Sequence, residues 1–267
     1  MHVGALAIYP LKSGRQVLVG SMSLDRFGPA GDRRWMLVDD AGRFVTQRTH
    51  PRMCLLSAVE SVEGLRLQAP GMPDIHVLRP VEGGAAVVSV WEDQVDARLA
   101  GPDADAWCSR FLGMPVRLVW MPESTYREVS PAHAGEGHTT GFSDGFPLLL
   151  ATQSSLDLLN SQLQEPVDWR RFRPNIVVAG DLAPHAEDGW KRLRIGEVEL
   201  AVVKPCSRCV IPSINPDTAD KNGQILTVMR GYRAAADGKT YFGQNVIVVT
   251  RPEVAVIRVG DPVELLA

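Results

Sequence analysis

Apolar positions come in short runs broken by glycine, proline and polar residues, and in the first half this pattern predicts strands. Val3-Gly4-Ala5-Leu6-Ala7-Ile8-Tyr9 is a strand stopped by Pro10. Arg34–Val38 and Arg43–Gln47 flank the turn Asp39-Asp40-Ala41-Gly42 and read as a hairpin. Further runs follow at 55–59, 65–68 and 86–91. Many short strands with Gly/Pro turns predict a small barrel or sandwich. Asp103–Leu112 has helical character, with Gly113-Met114-Pro115 as its stop, and 116–121 is another strand.

From Pro122 to Ser143 the sequence is polar, with Gly and His but little periodicity, which predicts a mobile loop able to gate a site. Pro147–Ala151 is a short buried strand. Leu156, Leu159 and Leu163 fit one helix face, with a Thr or Ser cap before them. Phe172–Gly180 is a basic loop entering a strand, and 198–203 is a strand that delivers a Pro-punctuated loop. Strands at 241–249 and 254–259 precede a turn into a last strand at 260–266. No repeat or low-complexity segment is present. The reading is a mainly β protein with some helix (α+β).

Composition narrows the classes. Apolar residues make up 45% of 267, enough for one large or two smaller cores. Charged residues at 22% and a net charge of −3 argue against a nucleic-acid surface, which needs a basic excess. No apolar run approaches the roughly 18 residues of a membrane segment, and the N-terminus lacks the basic start of a signal peptide. Four cysteines are too few for a disulfide framework, which predicts a reducing, cytoplasmic setting.

Two of those cysteines form the pair Cys206-Ser207-Arg208-Cys209, behind Pro205. Structural zinc needs four ligands, and no second Cys or His pair exists; His133 and His138 lie in the predicted loop. A thioredoxin-like pair sits at a helix N-terminus, and Pro212 argues against a helix there. One thiolate, kept ionised by Arg208, suits a soft metal that arrives inside a cofactor. Two small buried hydrophobes are the plain alternative.

The surrounding residues resemble a known family. Pro205–Cys209 with Asn215-Pro216-Asp217-Thr218, Phe172–Val177, Tyr241–Asn245 and Val259–Val263 resemble the MOSC domain. Tyr9–Ser13, Gly31–Val38 and Val45–Arg48 resemble the β-barrel domain preceding it in the amidoxime-reducing branch. The resemblance runs over nearly the whole chain. It implies an N-terminal barrel-like domain over 1–120, whose first loops reach the site, and a β-barrel MOSC domain with peripheral helices over 121–267.

The resemblance implies a molybdenum cofactor, a molybdopterin with or without an added nucleotide, bound through the metal by Cys209. Lys12, Ser13, Arg33 and Arg173 would meet its phosphate or pterin, since phosphate favours cations and forked N–H donors. Asn175, Ser207, Arg208 and Asn245 would be polar contacts, with Cys206 structural. The implied activity is reduction of small N-oxygenated substrates; the superfamily also carries a pyridoxal phosphate association. Two departures stand out. Relatives carry Thr-Ser before a Pro where this chain has Asp144-Gly145-Phe146-Pro147, so contacts there would come from the backbone of Gly145 and Phe146. Ala219–Gly223 alters the loop after Pro-Asp-Thr. The remaining cysteines cannot hold a four-cysteine iron–sulfur cluster, so electrons would come from a separate ferredoxin- or flavoprotein-type donor. A carrier of cofactor or of sulfur on Cys209 is the competing reading.

Overall fold

The computed structural model describes residues 1–266. The first part of the chain forms β1 (His2–Ile8), β2 (Val17–Val19), β3 (Ser21–Asp25), β4 (Gly28–Pro29), β5 (Trp35–Val38), β6 (Ser57–Glu60), β7 (Gly64–Gln68), β8 (Ile75–Leu78), β9 (Ala85–Val90), β10 (Asp93–Leu99), helix α1 (Pro102–Leu112) and β11 (Arg117–Trp120). The second part forms α2 (Pro131–Ala134), β12 (Leu148–Thr152), α3 (Gln153–Asn160), β13 (Ile176–Ala179), β14 (Arg192–Ile195), β15 (Val198–Ser207), α4 (Gln224–Arg233), β16 (Tyr241–Thr250), β17 (Ala255–Arg258) and β18 (Val263–Leu266). The architecture is mainly β with few helices, as the apolar pattern predicts. Among the described residues no helix is long and apolar enough to cross a membrane.

The largest sheet has eight strands in the order β18-β14-β15-β16-β12-β13-β1-β2 and curves as a half-barrel. It joins both ends of the chain: β1 pairs antiparallel with β13, which runs parallel to β12. Alternation drives burial. In β14, Leu193 and Ile195 enter the core while Arg192 and Arg194 face out. These residues join Val3, Leu6, Leu150, Ile176 and Leu200 in one apolar cluster. The sheets β5-β11-β10-β9 and β6-β7-β8 enclose two further clusters, around Trp35 and Trp107 and around Met36 and Phe142. A fourth cluster packs α3 and α4 on Phe172 and Phe242, whose rings stack at 4.0 Å.

Four expectations change. The hairpin after Val38 forms with a shortened second limb: Asp39 N–H donates to the Arg43 carbonyl (2.9 Å) and Val45 N–H to the Leu37 carbonyl (2.8 Å), but Phe44 N–H turns to Ser89 and no regular strand follows. The segment 122–143 lacks extended secondary structure but is tied down rather than loose. Its Arg127, 5% exposed, donates to the carbonyls of Gly141 (2.8 Å) and Ser143 (2.6 Å) and to Asp93 (2.8 Å). Third, β15 continues past the predicted end at Val203 and carries Cys206 within it. Fourth, Ile211–Ser213 after the pair forms a single 3-10 turn rather than loop.

Candidate functional site

A cleft of about 730 Å³ opens where β1 ends and β12 and β13 begin, with the tail of β15 running past it. Every residue singled out from the sequence lines it: Lys12, Ser13, Arg33, Gly145, Phe146, Arg173, Asn175, Ser207, Arg208, Cys209 and Asn245. The fold thus gathers residues up to 233 positions apart in sequence, from Lys12 to Asn245.

The tail of β15 is irregular by construction. Its pairing with β16 slips between Val202 and Lys204 and again between Pro205 and Ser207. Such bulges bend a strand and re-aim its side chains. Pro205 cannot donate to the ladder, which suits this break. Asn245 holds the bend by donating from Nδ2 to the carbonyls of Lys204 (3.2 Å) and Pro205 (3.4 Å). Opposite, Gly243 (φ +73°) has no room for a side chain, since a Cβ would lie 2.6 Å from the Leu150 carbonyl.

Besides Trp91 (φ +56°), three cleft residues hold left-handed backbone without being glycine: Ser13 (φ +63°), Arg33 (φ +48°) and Arg173 (φ +59°). Such geometry costs about 1–3 kcal/mol at each position and persists only where the surroundings enforce it. Here they do. Gln47 Nε2 donates to the Ser13 carbonyl at 2.7 Å. The Arg33 N–H donates to Tyr9, and its carbonyl accepts from Phe142 at 2.7 Å. Arg173 Nη1 donates to the Gly14 carbonyl at 2.7 Å.

Beneath them lies a buried polar knot. Asp32, 4% exposed, accepts from the Tyr9 N–H (2.7 Å), from Asn175 Nδ2 (3.2 Å) and from Arg33. Burial pushes the Asp32 carboxyl up, against the opposing pull of Arg33. Asn175 is 1% exposed and fully engaged: Nδ2 also donates to Ala7 O, and Oδ1 accepts from Arg33 Nη1 and the Leu149 N–H. An asparagine offers two N–H donors, so both are used. Asn175 therefore fixes Arg33 and ties β1 to the start of β12 while it lines the cleft. Tyr9, 0% exposed, lies under the guanidinium groups of Arg33 (4.4 Å from ring centroid) and Arg173 (4.2 Å). Burial pushes the Arg173 guanidinium down to about 10, against the pull of Tyr9.

Charge in the cleft is one-sided. Lys12, Arg33, Arg48, Arg173, Lys204, Arg208, Arg230 and Lys239 face a single carboxylate, Asp144, in a chain whose net charge is −3. Asp144 accepts from Lys12 Nζ (2.7 Å) and Arg48 Nη2 (2.5 Å). Although burial opposes it, these two cations hold the Asp144 carboxyl well below the usual range. Lys12 is 4% exposed, and burial lowers it to about 8 even with Asp144 beside it. A cleft so charged selects an anionic ligand.

The two thiols differ in company. Arg208 Nη1 donates to Cys206 Sγ at 2.9 Å. Arg48 faces Cys209 as well as Asp144; burial opposes its charge, and these two groups push it up nonetheless. Arg208 Nε is buried without a partner. All four cysteines are free, and among the described residues no three His, Cys, Asp or Glu side chains gather as a metal site. Sequence reasoning missed Arg48, Asp144 and Tyr9 as site residues, although all three lie within stretches it had marked. Trp91 and Lys239, by contrast, carried no local signal.

Comparison with known proteins agrees with this geometry. Residues 1–115 match the MOSC N-terminal beta barrel domain and residues 137–264 the MOSC domain. The chain is 34% identical to mitochondrial amidoxime-reducing component 1 of Mus musculus, over 99% of its own length and 82% of that protein, and equally so to the Homo sapiens protein. It is 29% identical to molybdenum cofactor sulfurase of Oryza sativa subsp. japonica, over 91% of its length but 32% of that protein. A solution structure of a Bordetella bronchiseptica protein is 24% identical over 41% of this chain and 92% of that one, with a TM-score of 0.33. The expected cytoplasmic location is corrected by these matches, since the near-full-length relatives are named mitochondrial. A low cysteine count shows only that the fold does not depend on disulfides.

Proposed function

The chain belongs to the MOSC family, alongside the amidoxime-reducing components, and from that premise we propose that it is a molybdenum-cofactor-dependent reductase of N-hydroxylated compounds with Cys209 as the protein's metal ligand. The observation that carries the reading is the cleft itself: eight cations against one carboxylate, with the Cys209 thiol facing a guanidinium. The donor set fits a phosphorylated, thiolate-ligated group. Cationic and forked N–H donors suit the phosphate, and a single thiolate suits a soft metal that brings its other ligands with it.

When bound, the cofactor supplies the two-electron chemistry by which an N–O bond breaks, two electrons and two protons are taken up, and water leaves. The protein's own residues position and shield. Lys12, Arg33 and Arg173 hold the anionic end, on backbone fixed by Ser13, Asn175 and the Tyr9–Asp32 knot. Gly145 and Phe146 offer backbone N–H groups in place of side-chain hydroxyls. Ser207 and Arg208 would supply polar contacts to the pterin, and Asn245 keeps the bend at the end of β15, just before Cys209. Arg48 lies beside both Asp144 and Cys209, and a thiolate is the form of cysteine that binds metal. Electrons come from a separate ferredoxin- or flavoprotein-type donor.

The test is molybdenum per chain, by elemental analysis, in protein from a cofactor-producing host. Wild type is expected near one, Cys206→Ala close to it, and Cys209→Ala sharply lower. Equal metal in wild type and Cys209→Ala removes the ligand role. No metal in any of them, with a persulfide on Cys209 by intact mass, turns the reading to a sulfur carrier, which the partial match to a molybdenum cofactor sulfurase favours.

A further inference from the structure

Trp91 occupies a position that ordinary folding preferences would give to another residue. Val90 pairs with Asp93, so Trp91 and Glu92 are the two central residues of a two-residue hairpin loop between β9 and β10. Such loops call for left-handed backbone and favour Asn or Gly. Trp91 adopts φ +56°, a true outlier for so bulky a side chain. It is also 49% exposed, so burial does not repay the strain. Yet the ring is held firmly. Phe44 packs on it edge-on at 5.0 Å, and the Arg48 guanidinium lies 4.9 Å from its centroid. Asp93, at the end of the turn, accepts from Arg127, which also holds the Gly141–Asp144 loop. Arg48 in turn meets Asp144 and Cys209. The turn is thus braced against the Gly141–Asp144 loop, and Trp91 and Cys209 line the same cleft.

We infer that Trp91 is a specificity residue: its open ring stacks on planar aromatic substrates and makes the enzyme prefer aromatic over aliphatic N-hydroxylated compounds. Strained, solvent-facing and rigid aromatic surface at a site is what stacking recognition requires. The inference rests on the reductase reading above and names its substrate class.

The test compares benzamidoxime with acetamidoxime, which share the reacting group and differ by the ring. Reduced benzyl viologen supplies two electrons and solvent two protons; the N–O bond breaks, giving the amidine and water. Wild type, Trp91→Asn and Trp91→Phe are assayed as molybdenum-loaded protein, with metal per chain measured first. Asn suits the turn's backbone, so loss of folding does not obscure the result. Trp91→Asn is expected to lower kcat/KM for benzamidoxime about five- to tenfold, through KM, the scale of an aromatic pair. Acetamidoxime should change less than about twofold on the same basis, and Trp91→Phe should keep most of the preference. Equal loss on both substrates would mean that the ring merely supports Arg48 and would overturn the inference, as would no change on either. Wild type that holds no molybdenum overturns the cofactor reading, and this inference with it. Metal-loaded wild type without the aromatic preference overturns the inference alone.

Discussion

Replacing Asp32 by Ala removes the acceptor at the centre of the buried knot. Three donors lose it together: the Tyr9 N–H at 2.7 Å, Asn175 Nδ2 at 3.2 Å and the Arg33 guanidinium. A buried donor left unmade costs about 1–3 kcal/mol, and stripping one partner from a buried ion pair costs about 3–5 kcal/mol. These overlap, because Asn175 keeps its bond to Ala7 and Arg33 keeps its bond to Asn175 Oδ1. The expected loss is about 4 kcal/mol. At about 2–4 °C per kcal/mol for a chain of this size, Tm falls by roughly 8–16 °C. Urea unfolding of the cofactor-free chain measures it, with Asp32→Asn retaining one acceptor and losing less. Asp32 also has a pH signature. Its carboxyl is raised by burial, so the folded state keeps the proton to higher pH than the unfolded chain does. This group's contribution to stability therefore declines as pH rises above the ordinary carboxylate range, and Asp32→Asn should flatten that slope. An Asp32→Ala loss under about 1 kcal/mol would refute the reasoning, since it would mean that none of the three donors depends on this carboxylate.

Two further perturbations probe the cleft. Lys12 is lowered to about 8 by burial, with Asp144 opposing and Arg127 and Arg48 adding to the shift. Its positive charge is therefore lost as pH rises through about 8. Sulfate, whose own charge is constant there, should bind the cofactor-free cleft about tenfold more weakly at pH 9 than at pH 7, the worth of one charged hydrogen bond; calorimetric titration should show this slope largely gone in Lys12→Met. In Gly141→Ala the new Cβ would meet the carbonyls of Arg33 at 2.8 Å and Asp32 at 3.0 Å. A destabilisation of about 1–3 kcal/mol by urea unfolding is expected, with reduced molybdenum content because the Arg33 backbone must shift.

What the sequence revealed depended on how local the signal was. Strands with clear apolar runs, such as β1, β12 and β13, stood out, and so did α1, which ends on Gly113 (φ +72°). β10 went unseen because its buried positions, Val95 and Ala97, are small and spaced among charges. α4 went unseen because only Ile225 and Met229 are buried and no side chain caps its start. Cys209 and four of the cleft's cations, Lys12, Arg33, Arg173 and Arg208, were legible through motif resemblance, whereas Arg48, Lys204, Arg230 and Lys239 were not. Asn175 was legible as a site position but its hydrogen bond to Asp32 was not, since that carboxylate is 143 residues away. Trp91 could not be found from sequence, because its role depends on a turn conformation its own type disfavours.

The energetics of the cleft point one way. Arg33 and Arg173 are brought together over one phenol ring, although like charges repel. Arg208 Nε is buried with no partner, and Lys12 is pushed toward neutrality. Three residues beside these groups sit in left-handed backbone. Each feature costs free energy, and the two largest hydrophobic clusters hold the residues in place regardless. An anion in the cleft would relieve the repulsion, satisfy the orphaned donor and restore the Lys12 charge, while the backbone would already be in position. The cost of organising the site is thus met at folding rather than at binding, which is how a preorganised site gains affinity. It also explains why the cations come from separate elements: a cluster this repulsive needs independent anchors, here the segment after β1 for Lys12, the approach to β5 for Arg33, the approach to β13 for Arg173 and the end of β15 for Arg208, none of which can relax without disturbing its own strand.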